Sequence, residues 1–124
     1  MFAGTRDGVA VLGLPGNPAS ALATFLCHGW PLLRRLQGAA PERMVSCAVL
    51  AEPVSKPRSL TAMLRGRRHR DGATVRVATA GPQDSHQMLP FARSDCLILC
   101  PAGVETLAAG TEVDVLPYPW SPAP

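Results

Sequence analysis

The residues of this chain best suited to chemistry are cationic. Arg65, Arg67, Arg68 and Arg70 fall in one run with His69 among them. The formal net charge of the whole chain is only +3, so the run suggests a local anion site more than a surface coated for nucleic acid. The bland reading is a solvated strand edge, where arginines discourage edge-to-edge pairing. Phe91 is the one aromatic at all near the run, so no stacking platform for single strands is visible. A second candidate lies upstream. Val9 to Leu14 is a short apolar run with β-branched members that leads straight into Pro15, Gly16, Asn17 and Pro18. A strand, a glycine turn and a capped helix start gather unpaired backbone amides and a fraction of a positive charge, which suits an anion. An ordinary, well-capped strand-to-helix connection has the same construction.

The elements that must hold these residues follow from pattern and turn chemistry. Val9 to Leu14 is expected to be a buried strand. Asn17 is the N-cap and Pro18 the first helical residue, where no amide is lost. Leu22, Leu26, Trp30, Leu33 and Leu36 then make one apolar stripe, with Arg34 and Arg35 at the cation-favouring end and Gly38 as the stop. Pro31 cannot donate to the preceding turn, so a kink is expected near Gly29 and Trp30. After Gly38 to Glu42 the period changes from helical to alternating, which marks a domain boundary there. Strands are expected at Val45 to Leu50, Ala62 to Arg68, Thr74 to Thr79, Cys96 to Leu99 and Glu112 to Leu116, with Asp71-Gly72 as a hairpin turn. A short helical turn is placed within Ser85 to Arg93. Residues 119–124 are expected to be a loose tail, with Tyr118 and Trp120 able to pack on the last strand.

Composition sets the outer limits. Thirteen prolines and eleven glycines are too many for a helical bundle and fit short elements joined by turns. Hydrophobic residues make up 47% of the chain, which excludes disorder over most of it. Cys27, Cys47, Cys96 and Cys100 lack paired metal spacing and sit among apolar residues, so they are expected to be buried thiols. No apolar run reaches the roughly 18 to 20 residues that span a bilayer, and the chain start lacks the organisation of a signal peptide. A cytoplasmic protein is expected, with neither a membrane nor a nucleic acid as partner.

The segment Gly13-Leu14-Pro15-Gly16-Asn17-Pro18-Ala19-Ser20-Ala21 resembles the Gly-Leu-Pro-Gly-Asn-Pro-Val-Ser motif of the molybdopterin molybdenumtransferases, the MoeA and gephyrin type. The likeness continues through Phe25, Pro31, Leu32 and Leu36-Gln37-Gly38, then Arg65-Gly66, then Gly81, Gln83 and Ser85-His86, and on from Pro101 to Leu116. It covers about residues 9 to 116. The fold it implies is an α/β fragment, a strand plus helix from the end of the molybdopterin-binding domain (residues 1–40), followed by a small all-β, barrel-like or sandwich-like C-terminal domain (41–118).

The implied activity is insertion of molybdate into adenylylated molybdopterin, with magnesium as the cation and a homodimer as the full-length assembly. By the same resemblance Arg65 and Ser85 stand at oxyanion-binding positions, while Pro15, Gly16, Asn17 and Ser20 order the loop beneath the pterin. A small dianion needs a fixed cation and neutral donors, each charge-assisted hydrogen bond contributing roughly 1.5 to 3 kcal/mol. No residue is assigned as catalytic or as a metal ligand, and the magnesium ligands are expected outside this chain.

Asp84 stands where the family commonly has glycine, and Ser94-Asp95 replaces a more usual Ala-Asn; either departure is expected to weaken anion binding. The chain begins downstream of the family's Lys-Pro-Gly-Lys-Pro segment. The resemblance therefore implies an incomplete enzyme, inactive alone, whose first 38 residues expose an apolar face; a truncated gene product, a fragment or a protein completed by a partner chain would each account for it. The alternative is a non-catalytic anion-binding or protein-interaction scaffold of the same family.

Overall fold

The structure, a computed structural model, describes residues 2–40, 44–84 and 88–124. The chain divides into two compact units, Met1–Glu42 and Arg43–Pro124.

In the first unit β1 (Phe2–Arg6) and β2 (Val9–Gly13) form an antiparallel hairpin that pairs Arg6 with Val9. Asp7 and Gly8 turn between them at φ 51° and 79°, the positive-φ pair that a two-residue hairpin turn requires. A helical segment follows: α1 (Pro18–Thr24), a π turn (Phe25–Gly29) and α2 (Trp30–Leu36). Pro31 accounts for the middle piece. Its ring needs room behind it at the carbonyl of Cys27, and the widened turn, in which the Trp30 amide reaches back to the Phe25 carbonyl, gives that room. A side chain at Gly29 would collide with the Phe25 ring and press on Leu12 at 3.2 Å, so glycine lets the π turn lie against β2. The helix ends at Gly38 (φ 77°), where Gly38 donates to the Arg35 carbonyl and Ala39 to that of Arg34, both at 3.0 Å. These are the two bonds of a Schellman stop.

The strand expected to be buried is not. Val9 is 64% and Val11 39% exposed, because a hairpin has two faces and this unit has one helical segment to set against them. Leu33 and Leu36, at the end of the apolar stripe, are exposed as well.

In the second unit five strands close a barrel in the order β3-β6-β5-β7-β9: β3 (Ser46–Leu50), β5 (Ala62–Asp71), β6 (Thr74–Thr79), β7 (Cys96–Cys100) and β9 (Glu112–Pro117). β3 and β6 run parallel, and every other pair in the ring is antiparallel. Two short strands absent from the sequence reading, β4 (Val54–Ser55) and β8 (Thr106–Leu107), pair with each other. The inward positions Ala48, Leu50, Val77, Ile98, Val113 and Val115 make the core together with Cys96 and Cys100. α3 (Leu89–Ala92) is a single turn. Residues 119–124, expected to be loose, supply acceptors: Arg68 donates to the Pro122 carbonyl and Arg70 to that of Pro124.

Closure depends on Gly66. It pairs with Thr79 on one side and Cys96 on the other, and a Cβ there would lie 2.7 Å from Ile98 Cγ1 and 3.0 Å from Val77 Cγ2. Gly66→Ala should destabilise the barrel by about 1 to 3 kcal/mol through overpacking, seen as a lower urea midpoint at unchanged m value. An unchanged midpoint would mean that Ile98 and Val77 can move aside.

Candidate functional site

Strand β5 sends alternate residues to opposite faces. Gly66 faces the core, so its neighbour Arg65 faces outward, in register with Leu97 of β7, which in turn opposes Leu116 of β9. This outer face is nevertheless dry. Leu97 and Leu116 are buried, as are Phe91 of α3 and Tyr118, whose rings stand 6.0 Å apart. Arg65 lies beside them and is only 4% exposed. Its guanidinium carbon sits 5.5 Å from the centre of the Phe91 ring, within reach of a cation–π attraction.

The main chain meets part of the guanidinium's demand. Nη2 donates to the carbonyls of Pro82 (2.9 Å) and Asp84 (3.3 Å). Nε is buried with no partner among the described residues. Burial pulls the Arg65 pKa down, while Tyr118 and Asp84 act in the opposite direction, and a guanidinium remains charged.

Gln83 holds the accepting loop in place. Its Oε1 accepts from the Arg65 amide at 2.8 Å, and its Nε2 donates to the Arg65 carbonyl at 3.2 Å and the Gly81 carbonyl at 2.7 Å. One amide side chain thus pairs with β5 as a further strand would. Ala80 adds a main-chain bond to the Arg65 carbonyl, and Gly81 turns at φ 86°.

The departures at Ser94-Asp95 have structural work. Asp95 Oδ1 accepts from both the amide and Nε of Arg68, at 3.0 and 3.2 Å, and the Asp95 main chain bonds to Gly66 and Tyr118. The Ser94 hydroxyl bonds to the Phe91 carbonyl and lies 2.8 Å from the Tyr118 hydroxyl. The arginine run therefore splits. The Arg68 side chain is 7% exposed and ion-paired, which corrects its reading as a solvated edge.

Of the residues singled out from sequence, Arg65 is buried beneath Phe91, and Ser85 and His86 lie outside the described residues. In the first unit Asn17 Oδ1 accepts from the amides of Ala19 (3.1 Å) and Ser20 (3.2 Å), so the cap takes up two of the amides that an anion would use. Pro15 is half-buried, and Gly16 is exposed with open space where a Cβ would be. Among the described residues no three His, Cys, Asp or Glu side chains gather to hold a metal, and no helix is long and apolar enough to cross a membrane. The clasp of Gln83, the Phe91 contact and the buried Lys56, which donates to the Leu60 and Val104 carbonyls at 2.7 Å, were missed. Each links residues distant in sequence or bonds to the main chain, and leaves no local pattern.

Residues 47–118 match the family described as the MoeA C-terminal region (domain IV). Molybdopterin molybdenumtransferase 1 of Mycobacterium tuberculosis is 34% identical over 116 residues, which cover 89% of this chain and 27% of the relative. Molybdopterin molybdenumtransferase of Staphylococcus epidermidis is 29% identical over 111 residues, covering 89% of this chain and 26% of the relative. The chain thus spans about a quarter of the length of these relatives. A molybdopterin biosynthesis MoeA protein structure from Pyrococcus horikoshii superposes with a TM-score of 0.71 at 28% identity, covering 93% of this chain and 28% of that one.

Tyr118 reports on the dry face, because it is the single tyrosine of the sequence. Burial pushes its pKa up to about 12, against an opposing effect of the Ser94 hydrogen bond. A raised phenol pKa stabilises the fold fully below the unfolded value near 10; that stability is lost as pH rises from there through about 12. Ultraviolet titration should show no phenolate at pH 10.5 in the native chain and roughly three-quarters phenolate in urea. Equal titration in both would place Tyr118 in water and remove the cover from Arg65.

Proposed function

The chain belongs to the MoeA family of molybdenum cofactor biosynthesis, and we propose that its Arg65 binds molybdate during metal insertion into molybdopterin. The observation that carries this reading is the buried guanidinium. Among the described residues no carboxylate is bonded to Arg65, and Nε has no partner. A buried cation with one N–H left without an acceptor among the described residues is costly even with the electrostatic help of Tyr118 and Asp84, and an anion would meet that need. Two main-chain acceptors, the Gln83 clasp and the Phe91 ring hold the fork in one orientation, which suits a small tetrahedral dianion better than a mobile surface arginine would.

Ser85, from the resemblance, is the proposed neutral donor beside Arg65. Pro15, Gly16, Asn17 and Ser20 are proposed to order the pterin loop, the Asn17 cap supplying the rigidity. Adenylylated molybdopterin is the proposed co-substrate and a homodimer the proposed full-length assembly. Magnesium finds no suitable cluster among the described residues, so its ligands are proposed to come from outside this chain and no step is routed through it. The absence of disulfides among Cys27, Cys47, Cys96 and Cys100 suits the reducing cytoplasm. The isolated chain is proposed to be inactive.

The test uses a full-length molybdenumtransferase carrying these residues. Arg65→Ala should raise the molybdate concentration needed for half-maximal rate about ten- to a hundred-fold, as for loss of a charged hydrogen bond. Ser85→Ala should have a smaller effect, and Arg70→Ala, which removes only a bond to a tail carbonyl, none. Because Arg65 is buried, its truncation will also lower stability, so the molybdate dependence of the folded protein is the deciding quantity. An unchanged molybdate dependence in folded Arg65→Ala overturns the assignment.

A further inference from the structure

A groove of about 410 Å³ opens beside β5 and β6, lined by Arg67, Arg68, His69 and Arg93 with Thr79 and Gly81 among its other walls. No carboxylate lines it. Two carboxylates bond to lining residues: Asp95 holds Arg68, and Glu52 accepts from the amide and hydroxyl of Thr79 at 3.0 and 2.6 Å. Hydrogen bonding to Thr79 also depresses the Glu52 pKa, so Glu52 stays ionised and held by Thr79 without lining the groove.

The neighbouring arginines are committed. Arg68 pairs with Asp95, Arg76 with Asp71 at 2.7 Å, and Arg70 donates to the Pro124 carbonyl. Arg67, His69 and Arg93 have no partner among the described residues. A solvated strand edge would account for Arg67 and His69, which are both on β5. It does not account for Arg93, which follows α3 and lines the same groove from a different element.

The geometry points to a second oxyanion site, in which Arg67 and Arg93 grip a tetrahedral dianion of the phosphate and molybdate class and His69 adds a further donor. Two guanidinium forks brought in from separate elements can each give two parallel N–H bonds to such an ion. The groove is lined by no Phe, Tyr or Trp, so its cations recognise the oxyanion more than any attached base. The site is separate from Arg65: residues 80 and 81 form its wall, whereas Pro82 and Asp84 face Arg65 with their carbonyls. Because all three side chains are exposed, binding should be weak and should fade with salt.

The experiment follows the arginine side-chain Nε–H signals of the 124-residue chain by nuclear magnetic resonance at low ionic strength, with inorganic phosphate and molybdate added in separate titrations. Saturable shifts at Arg67 and Arg93, with Arg70 and Arg76 still, are expected for at least one ion, and which ion saturates identifies the source of the dianion. Arg67→Ala with Arg93→Ala should weaken binding about tenfold or more, circular dichroism showing the fold retained. Saturable shifts at Arg67 and Arg93 should persist in Arg65→Ala that retains its fold by circular dichroism, so this site can fail without the molybdate assignment of Arg65 failing, and the reverse. Linear shifts spread over all arginines, undiminished affinity in the double variant, or saturation by heparin alone would each overturn the second site.

Discussion

A guanidinium sealed from water with no carboxylate hydrogen-bonded to it among the described residues must find its acceptors on the main chain, and much of the second unit is arranged around that need. Arg65 is 4% exposed, and the carbonyls of Pro82 and Asp84 take two of its hydrogen bonds. Those carbonyls have to be presented at fixed positions, which requires the loop after β6 to lie flat against β5. Gln83 does this by pairing with the Arg65 main chain from both ends of its amide. The cover on the other side is aromatic, Phe91 over the guanidinium and Tyr118 beside Phe91. Removal of any one member exposes the charge or strands the acceptors, so the group should respond to mutation as a unit.

The adjacent Gly66 shows why this arrangement sits on β5 and nowhere else in the barrel. Inward, the strand must come close enough to Ile98 and Val77 that even a methyl group is too large. Outward, one residue earlier, it carries the longest cationic side chain. Strand alternation makes these two demands compatible, because consecutive residues answer to different environments. The Asp95 segment then fastens the β5 edge where β7 begins: its amide donates to the Gly66 carbonyl and its carboxylate accepts from Arg68. Core packing, strand closure and the candidate anion site therefore share four consecutive residues, 65 to 68.

What was legible in the sequence is what local chemistry controls. Asn17 caps, Pro18 starts and Gly38 stops the helix; Asp71-Gly72 turns a hairpin; the five barrel strands fall where alternation placed them. The Asp7-Gly8 hairpin carried the same turn signal but lacked a recognisable partner run, since Phe2 to Arg6 alternates weakly. Two-residue strands such as β4 and β8 are too short to have a period. Burial was the harder inference. Val9 to Leu14 looked like a core strand because its residues are apolar, yet burial belongs to whatever covers a strand and not to the strand itself. Arg65 looked exposed because arginine usually is. Its burial depends on Phe91 and Tyr118, which lie far along the chain.

The arginine run shows how composition and geometry divide the work. In sequence Arg65, Arg67, Arg68 and Arg70 are equivalent charges. In the fold one is sealed beneath an aromatic ring, one is ion-paired at a strand edge, one meets a tail carbonyl, and one faces a groove without a counter-charge. Averaged as a patch, they would raise the local potential and attract anions diffusely. Separated by environment, they differ in what they can hold. A buried fork with a vacant Nε offers few, oriented bonds in a low dielectric, where each is strong. An exposed fork offers bonds that water and salt dilute. On the proposal that Arg65 binds molybdate, the fixed fork is the better placed of the two to discriminate among small oxyanions, and an exposed outer site holds them more weakly.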